Sequence, residues 1–161
     1  MNIWTCGEWK KYIYDFEPLP RRGLLLRFEE GVDSEVREAL KEFAKWLRYG
    51  YVFPIRVPVY VKAAERIKAK DGDLVCGTFF WPGEYGAEPY VRIATGDYFD
   101  LKSERGRDNA LASILGSLIH ELTHYFQYIN KYETTPRGEE IQACYYQKLI
   151  LDEYANTRDH P

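Results

Sequence analysis

From Asp108 to Asn130 the chain reads DNALASILGSLIHELTHYFQYIN, unbroken by proline and with apolar residues recurring at helical spacing. A helix of this length needs an apolar surface to lie against, and that need limits the fold more than any other feature. On a wheel at about 100° per residue, Leu111, Leu115, Leu118, Leu122, Phe126 and Ile129 fall in one arc, which is expected to face a sheet. His120 and His124 point almost directly away from it, about 40° apart, beside Ser113, Gly116, Ser117 and Gln127. Satisfied core histidines would sit among the leucines. The competing reading is a solvated helix face that carries two imidazoles.

Upstream segments supply the sheet. LLLRF (24–28) reads as a buried strand after an irregular aromatic start that ends at PLPRRG. VDSEVREALKEFAKWLRYG (32–50) reads as a helix, with Val32, Val36, Leu40, Phe43 and Leu47 on one face. Asp33 or Ser34 can cap it and Gly50 can stop it. FPIRVPVYVK (53–62) is a second strand, and Pro58 suggests an edge or an irregularity. DLVCGTFFW (73–81) and PYVRIAT (89–95) are two more, joined by the turn-rich PGEYGAE. RIKAKDGD (66–73) reads as a polar turn, too poor in carboxylates for a calcium loop. KSERGRD (102–108) reads as a charged loop ending in a cap at Asp108, with Arg105 and Arg107 solvated. After a connector, KYETTPRG, a final helix is expected over 139–155, with Ala143, Tyr146, Ile150 and Tyr154 in its apolar arc. The order predicts one α+β domain over 1–161, a small twisted mixed sheet packed on the long helix.

Composition narrows the function classes. Hydrophobic residues make up 45% of the chain and aromatic residues 16%, enough for a real core. With 22 Lys plus Arg against 25 Asp plus Glu, the net charge of -3 gives no global pull toward nucleic acid, so no nucleic-acid partner is expected. No segment reads as a signal peptide or membrane span. Cys6, Cys76 and Cys144 are far apart and form no C-x-x-C, which fits reduced thiols in the cytoplasm. Nothing in the chain fixes an oligomeric state.

The chemistry lies in HELTH. Two histidines at i and i+4 are neighbours on a helix surface, close enough to bind one tetrahedral ion. Glu121 sits too far round to be an equivalent ligand, but it can reach a water at an open coordination position and take its proton. This is the content of H-E-x-x-H, and it points to Zn2+. A third ligand is needed. His160 is expected on a frayed end and is set aside. A carboxylate from the last helix remains, and Glu139 and Glu140, expected in its first turn, both qualify. The eight connector residues can span up to about 26 Å, ample for that helix to fold back beside His124.

HELTH followed by EIQACYYQKLIL resembles the zincin metallopeptidases of the gluzincin type, most of all the small ImmA/IrrE-family metallopeptidases of bacteria and phages. The resemblance covers roughly residues 75 to 155. In that family a Glu opens a helix, followed by Ala, an aromatic and an aliphatic pair. Here these are Glu140, Ala143, Tyr146, then Ile150 and Leu151. The resemblance thus selects Glu140 as the third ligand and makes Ala143 the small residue that lets the helices approach. Tyr146 becomes a core aromatic, which leaves no residue assigned to stabilise an oxyanion. The metzincin extension is absent, since Gln127 and Asn130 stand where its Gly and third His would be. The zinc-binding cysteines of SprT-like proteins are absent too. Cys144 stands where thermolysin-like enzymes carry an orienting Asp, so no second-shell carboxylate is assigned.

Zincin architecture also implies that an edge strand ahead of the helix pairs with an extended substrate. CGTFFWP (76–82) is the candidate, with Gly77, Thr78 and Phe79 at the substrate and Phe79 or Trp81 lining a pocket. A plain hairpin strand with core aromatics is the competing reading. The expected function is a zinc-dependent peptidase, with a peptide or protein substrate that can be as narrow as a single regulator. The alternatives are a catalytically silent zincin-fold module that grips a partner's extended segment, and hydrolysis of a non-peptide amide.

Overall fold

The arc of leucines on the long helix is buried, and the sheet it predicts lies against it. The computed structural model describes residues 1–161. After two short 3-10 turns at Glu8–Lys11 and Ile13–Asp15, the elements are β1 (Leu24–Phe28), α1 (Ser34–Gly50), β2 (Val57–Lys62), β3 (Ile67–Lys68), β4 (Leu74–Val75), β5 (Gly77–Phe80), β6 (Tyr90–Ala94), α2 (Tyr98–Arg105), α3 (Arg107–Ile129) and α4 (Pro136–Ala155). A four-stranded mixed sheet runs in the order β1-β2-β6-β5. β1, β2 and β6 are parallel, and β5 is an antiparallel edge. Val57, Val59, Val61, Val91 and Ile93 turn one face of it into a core shared with α1 and α3.

Leu111, Leu115, Leu118, Leu122, Phe126 and Ile129 are each at most 1% exposed. Burying each contributes roughly 1.5–3 kcal/mol. A missing N-cap costs only about 1 kcal/mol. α3 therefore forms without a side-chain cap, behind Gly106 at φ +85°. Asp108, expected as that cap, lies inside the helix and meets His160 instead. α1 does have its expected cap, since the Asp33 carboxylate accepts from the Glu35 amide at 2.8 Å.

Pro58 is not on an edge, because β2 lies inside the sheet. The Val57 amide donates to Gly23 on the β1 side, so the Pro58 nitrogen faces β6. The β2–β6 ladder starts only at Val59, and the missing donor falls outside it. DLVCGTFFW is not one strand either. Leu74–Val75 pairs back on Ile67–Lys68 through a turn at Gly72 (φ +90°), whereas Gly77–Phe80 pairs with β6. The polar turn over 66–73 is thus a small hairpin.

α2 occupies much of the expected charged loop. Only Tyr98 in it is fully buried, so no apolar period announces it. Tyr98 and Leu101 pack it on the core, and the Lys102 ammonium of α2 and the Arg107 guanidinium of α3 both bind Glu35 at 2.6 Å. Lys102 first and Arg107 second hold the Glu35 carboxyl down at about 2. Arg107 is solvent-exposed as expected, and it also pairs with α1 through Glu35.

The aromatic start is a buried strap against the C-terminal part of α3 and the middle of α4. Ile3 and Trp4 are 1% and 3% exposed. The Trp4 indole donates to Thr123 Oγ1 at 3.1 Å, and Asn130 Oδ1 accepts from the Trp9 amide at 2.9 Å. No helix is long and apolar enough to cross a membrane.

Candidate metal centre

α4 begins earlier than its apolar pattern suggests. Pro136 takes the first helical position and Thr135 caps it, its hydroxyl accepting from the Gly138 amide at 3.0 Å. The connector is correspondingly shorter, and Glu140 stands a full turn inside the helix rather than at its opening. α4 packs along α3, with Ala143 fully buried between them. Gly116 of α3 leaves room for the Gln147 side chain of α4, since a Cβ there would lie 2.8 Å from Gln147 Nε2.

This packing brings Glu140 to the two histidines. One carboxylate oxygen is 3.1 Å from His120 Nε2 and the other 3.0 Å from His124 Nε2. One ligand atom from each of the three residues lies within 4.8 Å of the others. Around a tetrahedral zinc with bonds of 2.0–2.1 Å, neighbouring ligand atoms stand about 3.3 Å apart. Each imidazole thus meets its own carboxylate oxygen near that spacing, and the three residues together could hold one metal ion. Glu139 is outside the group, and its carbonyl accepts from Gln127 at 3.1 Å. His160 is outside it as well: its Nδ1 is 2.8 Å from Asp108 Oδ2, which ties the C-terminal segment down at the start of α3.

On the Nδ1 side of each imidazole stands an amide oxygen rather than a carboxylate. His124 Nδ1 is 2.8 Å from Gln127 Oε1, and His120 Nδ1 is 3.3 Å from Gln147 Oε1. With each Nδ1–H donated to an amide oxygen, each Nε2 keeps its lone pair for a cation. Gln127 is itself fixed, its Nε2 donating to the Glu139 carbonyl and to Gln142 Oε1 at 2.9 Å. Sequence reasoning assigned neither glutamine. The available signals were positional: Gln127 follows His124 by three on the same arc, and Gln147 follows Glu140 by two turns.

Burial, then the neighbouring His124, lowers the His120 pKa, which favours its neutral, ligating form. Glu121 is 8% exposed. Burial, reinforced by the Glu140 charge, pushes its carboxyl up to about 8. A divalent charge in the cluster acts in the opposite direction.

β5 closes the other side. Its pairing with β6 sets Gly77 opposite Ile93, and the Ala94 amide donates to the Cys76 carbonyl. By ladder alternation Thr78 bonds inward to β6, while Gly77 and Phe79 turn their N–H and C=O groups to the free edge. Gly77 lies against Glu121: a Cβ there would stand 2.9 Å from Glu121 Cγ. Between β5 and the two helices is a cavity of about 980 Å³, lined by Gly77, Thr78, Phe79, Trp81, the three cluster residues and Glu121. Tyr146 does not face it. Its hydroxyl accepts from the Ile3 amide and donates to the Met1 carbonyl, on the strap side.

No family model, curated protein or solved structure matches the chain.

Proposed function

We propose that this chain is a zinc-dependent peptidase of minimal zincin fold, acting on a peptide or protein substrate in the cytoplasm. The observation that carries the reading is the convergence of His120 Nε2, His124 Nε2 and the Glu140 carboxylate, with Glu121 beside them on a cavity wall. Two imidazoles and one carboxylate, with room left for a fourth ligand, are a donor set of catalytic zinc sites. When bound, the ion supplies Lewis acidity toward a water and a substrate carbonyl.

The chain's own residues do the rest. Gln127 and Gln147 fix the imidazole tautomers. The Glu121 carboxylate takes the water's proton and passes it to the amide nitrogen as the peptide bond breaks. The outward groups of Gly77 and Phe79 pair with the substrate backbone, and Thr78 anchors that strand to β6. A silent binding module is the weaker reading. Glu121 is buried beside the metal cluster on the cavity wall, and gripping a partner requires no such carboxylate.

The test is zinc content together with peptide hydrolysis. Tag-free protein supplied with zinc and dialysed is expected to hold about one zinc per chain. It should cleave unstructured peptides, lose cleavage to a chelator and regain it when zinc is returned. Protein that takes up no zinc overturns the proposal.

The contact of Gly77 with Glu121 adds a sharper expectation. Gly77→Ala forces Glu121 aside without touching a ligand. Zinc content should therefore stay near one per chain while kcat falls by up to about 100-fold, the scale of a 1 Å misplacement. Equal kcat in wild type and variant would show that Glu121 need not stand where it does.

A further inference from the structure

The free edge of β5 continues past the metal cluster into an aromatic trough, and its position relative to the cluster is set by two periodicities. Gly77 lies against Glu121, whereas Phe79 and Trp81 lie against Tyr128, four residues beyond His124. β5 and α3 thus run side by side in the same direction. Gly77, Phe79 and Trp81 alternate onto the face that looks at α3. The Trp81 and Tyr128 rings stack at 5.8 Å and 26°, and the Phe79 ring is 6.1 Å from Tyr128. Trp81 nonetheless remains 52% exposed, on the wall of the cavity. A large aromatic left open in a concave wall, beside unpaired backbone donors and acceptors, is a surface built for a ligand.

We propose that this trough selects peptide substrates carrying a large apolar or aromatic side chain two to three residues on the N-terminal side of the scissile bond. The proposal rests on the peptidase reading and names its substrate class. A strand added antiparallel to β5 runs toward its own C-terminus from Trp81 to Gly77. Tyr128 lies about 9 Å along α3 from the level between His120 and His124, at 1.5 Å per residue. An extended substrate covers that distance in about three residues at 3.3 Å each. The substrate residue opposite Phe79 turns its side chain the same way as Phe79, onto Tyr128 and Trp81. Tyr128 is a rigid floor, because its hydroxyl also accepts from the Gly86 amide and donates to the Ala87 carbonyl at 3.1 Å.

The experiment is cleavage of a random decapeptide mixture by zinc-loaded protein, with cut sites read by mass spectrometry. Phe, Tyr, Trp, Leu and Met should be enriched two to three residues before the cut. Trp81→Ala, a change at an exposed side chain, should flatten that enrichment and lower kcat/KM on the best peptide about tenfold. Cleavage with a flat profile at those positions, or a profile unmoved in Trp81→Ala, overturns the trough while the peptidase reading stands. In parallel, the binding of Phe-containing and matched Ala-containing decapeptides to zinc-loaded Glu121→Gln is followed by tryptophan fluorescence. Selective binding of the Phe peptides, with no cleavage by wild type, keeps the trough and removes the peptidase. Absence of both binding and cleavage overturns both.

Discussion

Glu121→Gln is expected to keep about one zinc per chain and to lose about 10²–10⁴-fold in kcat, the usual worth of a positioned general base. The two parts of this expectation come from separate observations. Zinc is retained because the cluster is formed by His120, His124 and Glu140, and Glu121 is not part of it. Turnover is lost because an amide of the same shape cannot accept the water's proton. The substitution is close to isosteric, so it preserves the contact with Gly77 and the local packing. It also removes a buried ionisable group, and the thermal midpoint should therefore stay the same or rise. Metal content and kcat on one peptide, measured on the same preparation, check it. A variant that turns over like wild type would move the base elsewhere; one that loses zinc would make Glu121 a ligand.

His120→Ala and Glu140→Gln are expected to fail one step earlier, at the metal. Loss of a residue that merely orients a ligand costs about 10–100-fold in affinity. Loss of the ligand itself should exceed that, leaving dialysed protein with far less than one zinc and with cleavage at background. Gln127→Ala should fall in the milder range, because His124 keeps its Nε2 and loses only the 2.8 Å contact that sets its tautomer. The fold should survive all three changes. α3 and α4 are held by buried apolar contacts, Ala143, Tyr146 and Ile150 among them, and not by the cluster. Circular dichroism of the metal-free variants checks this, and retention of wild-type zinc by His120→Ala would exclude it as a ligand.

The sequence was most legible where one periodicity dominated. The α3 arc, the α1 face and β1 are read from recurrence alone, because burial on one side leaves a pattern of period 3.6 or an unbroken apolar run. α2 carries no such pattern, since it is eight residues long and only Tyr98 in it is fully buried. The start of α4 was marked by Thr135 and Pro136, a cap and first-turn pair that the apolar arc of the helix says nothing about. Pro58 misled because the rule against proline in a central strand assumes a ladder on both sides. Within the site, i, i+4 spacing identified the histidines, and the family-like helix pattern selected Glu140 over Glu139. The closeness of Gly77 to Glu121 depends on how an edge strand meets a helix 44 residues away in the chain, and no local pattern records that.

The strap has a consequence for how the chain is made. Ile3 bonds to the hydroxyl of Tyr146, 143 positions later. A ribosome adding about 5–20 residues per second therefore leaves Ile3 without this partner for roughly 7–30 s, and Trp4 and Trp9 without Thr123 and Asn130 for roughly 6–24 s. During that interval the nascent chain carries a sticky aromatic head whose burial depends on its last two helices. A ribosome stalled before α3 emerges would hold a chain with the sheet strands present but the strap undocked. That is a species a holdase chaperone is suited to shield.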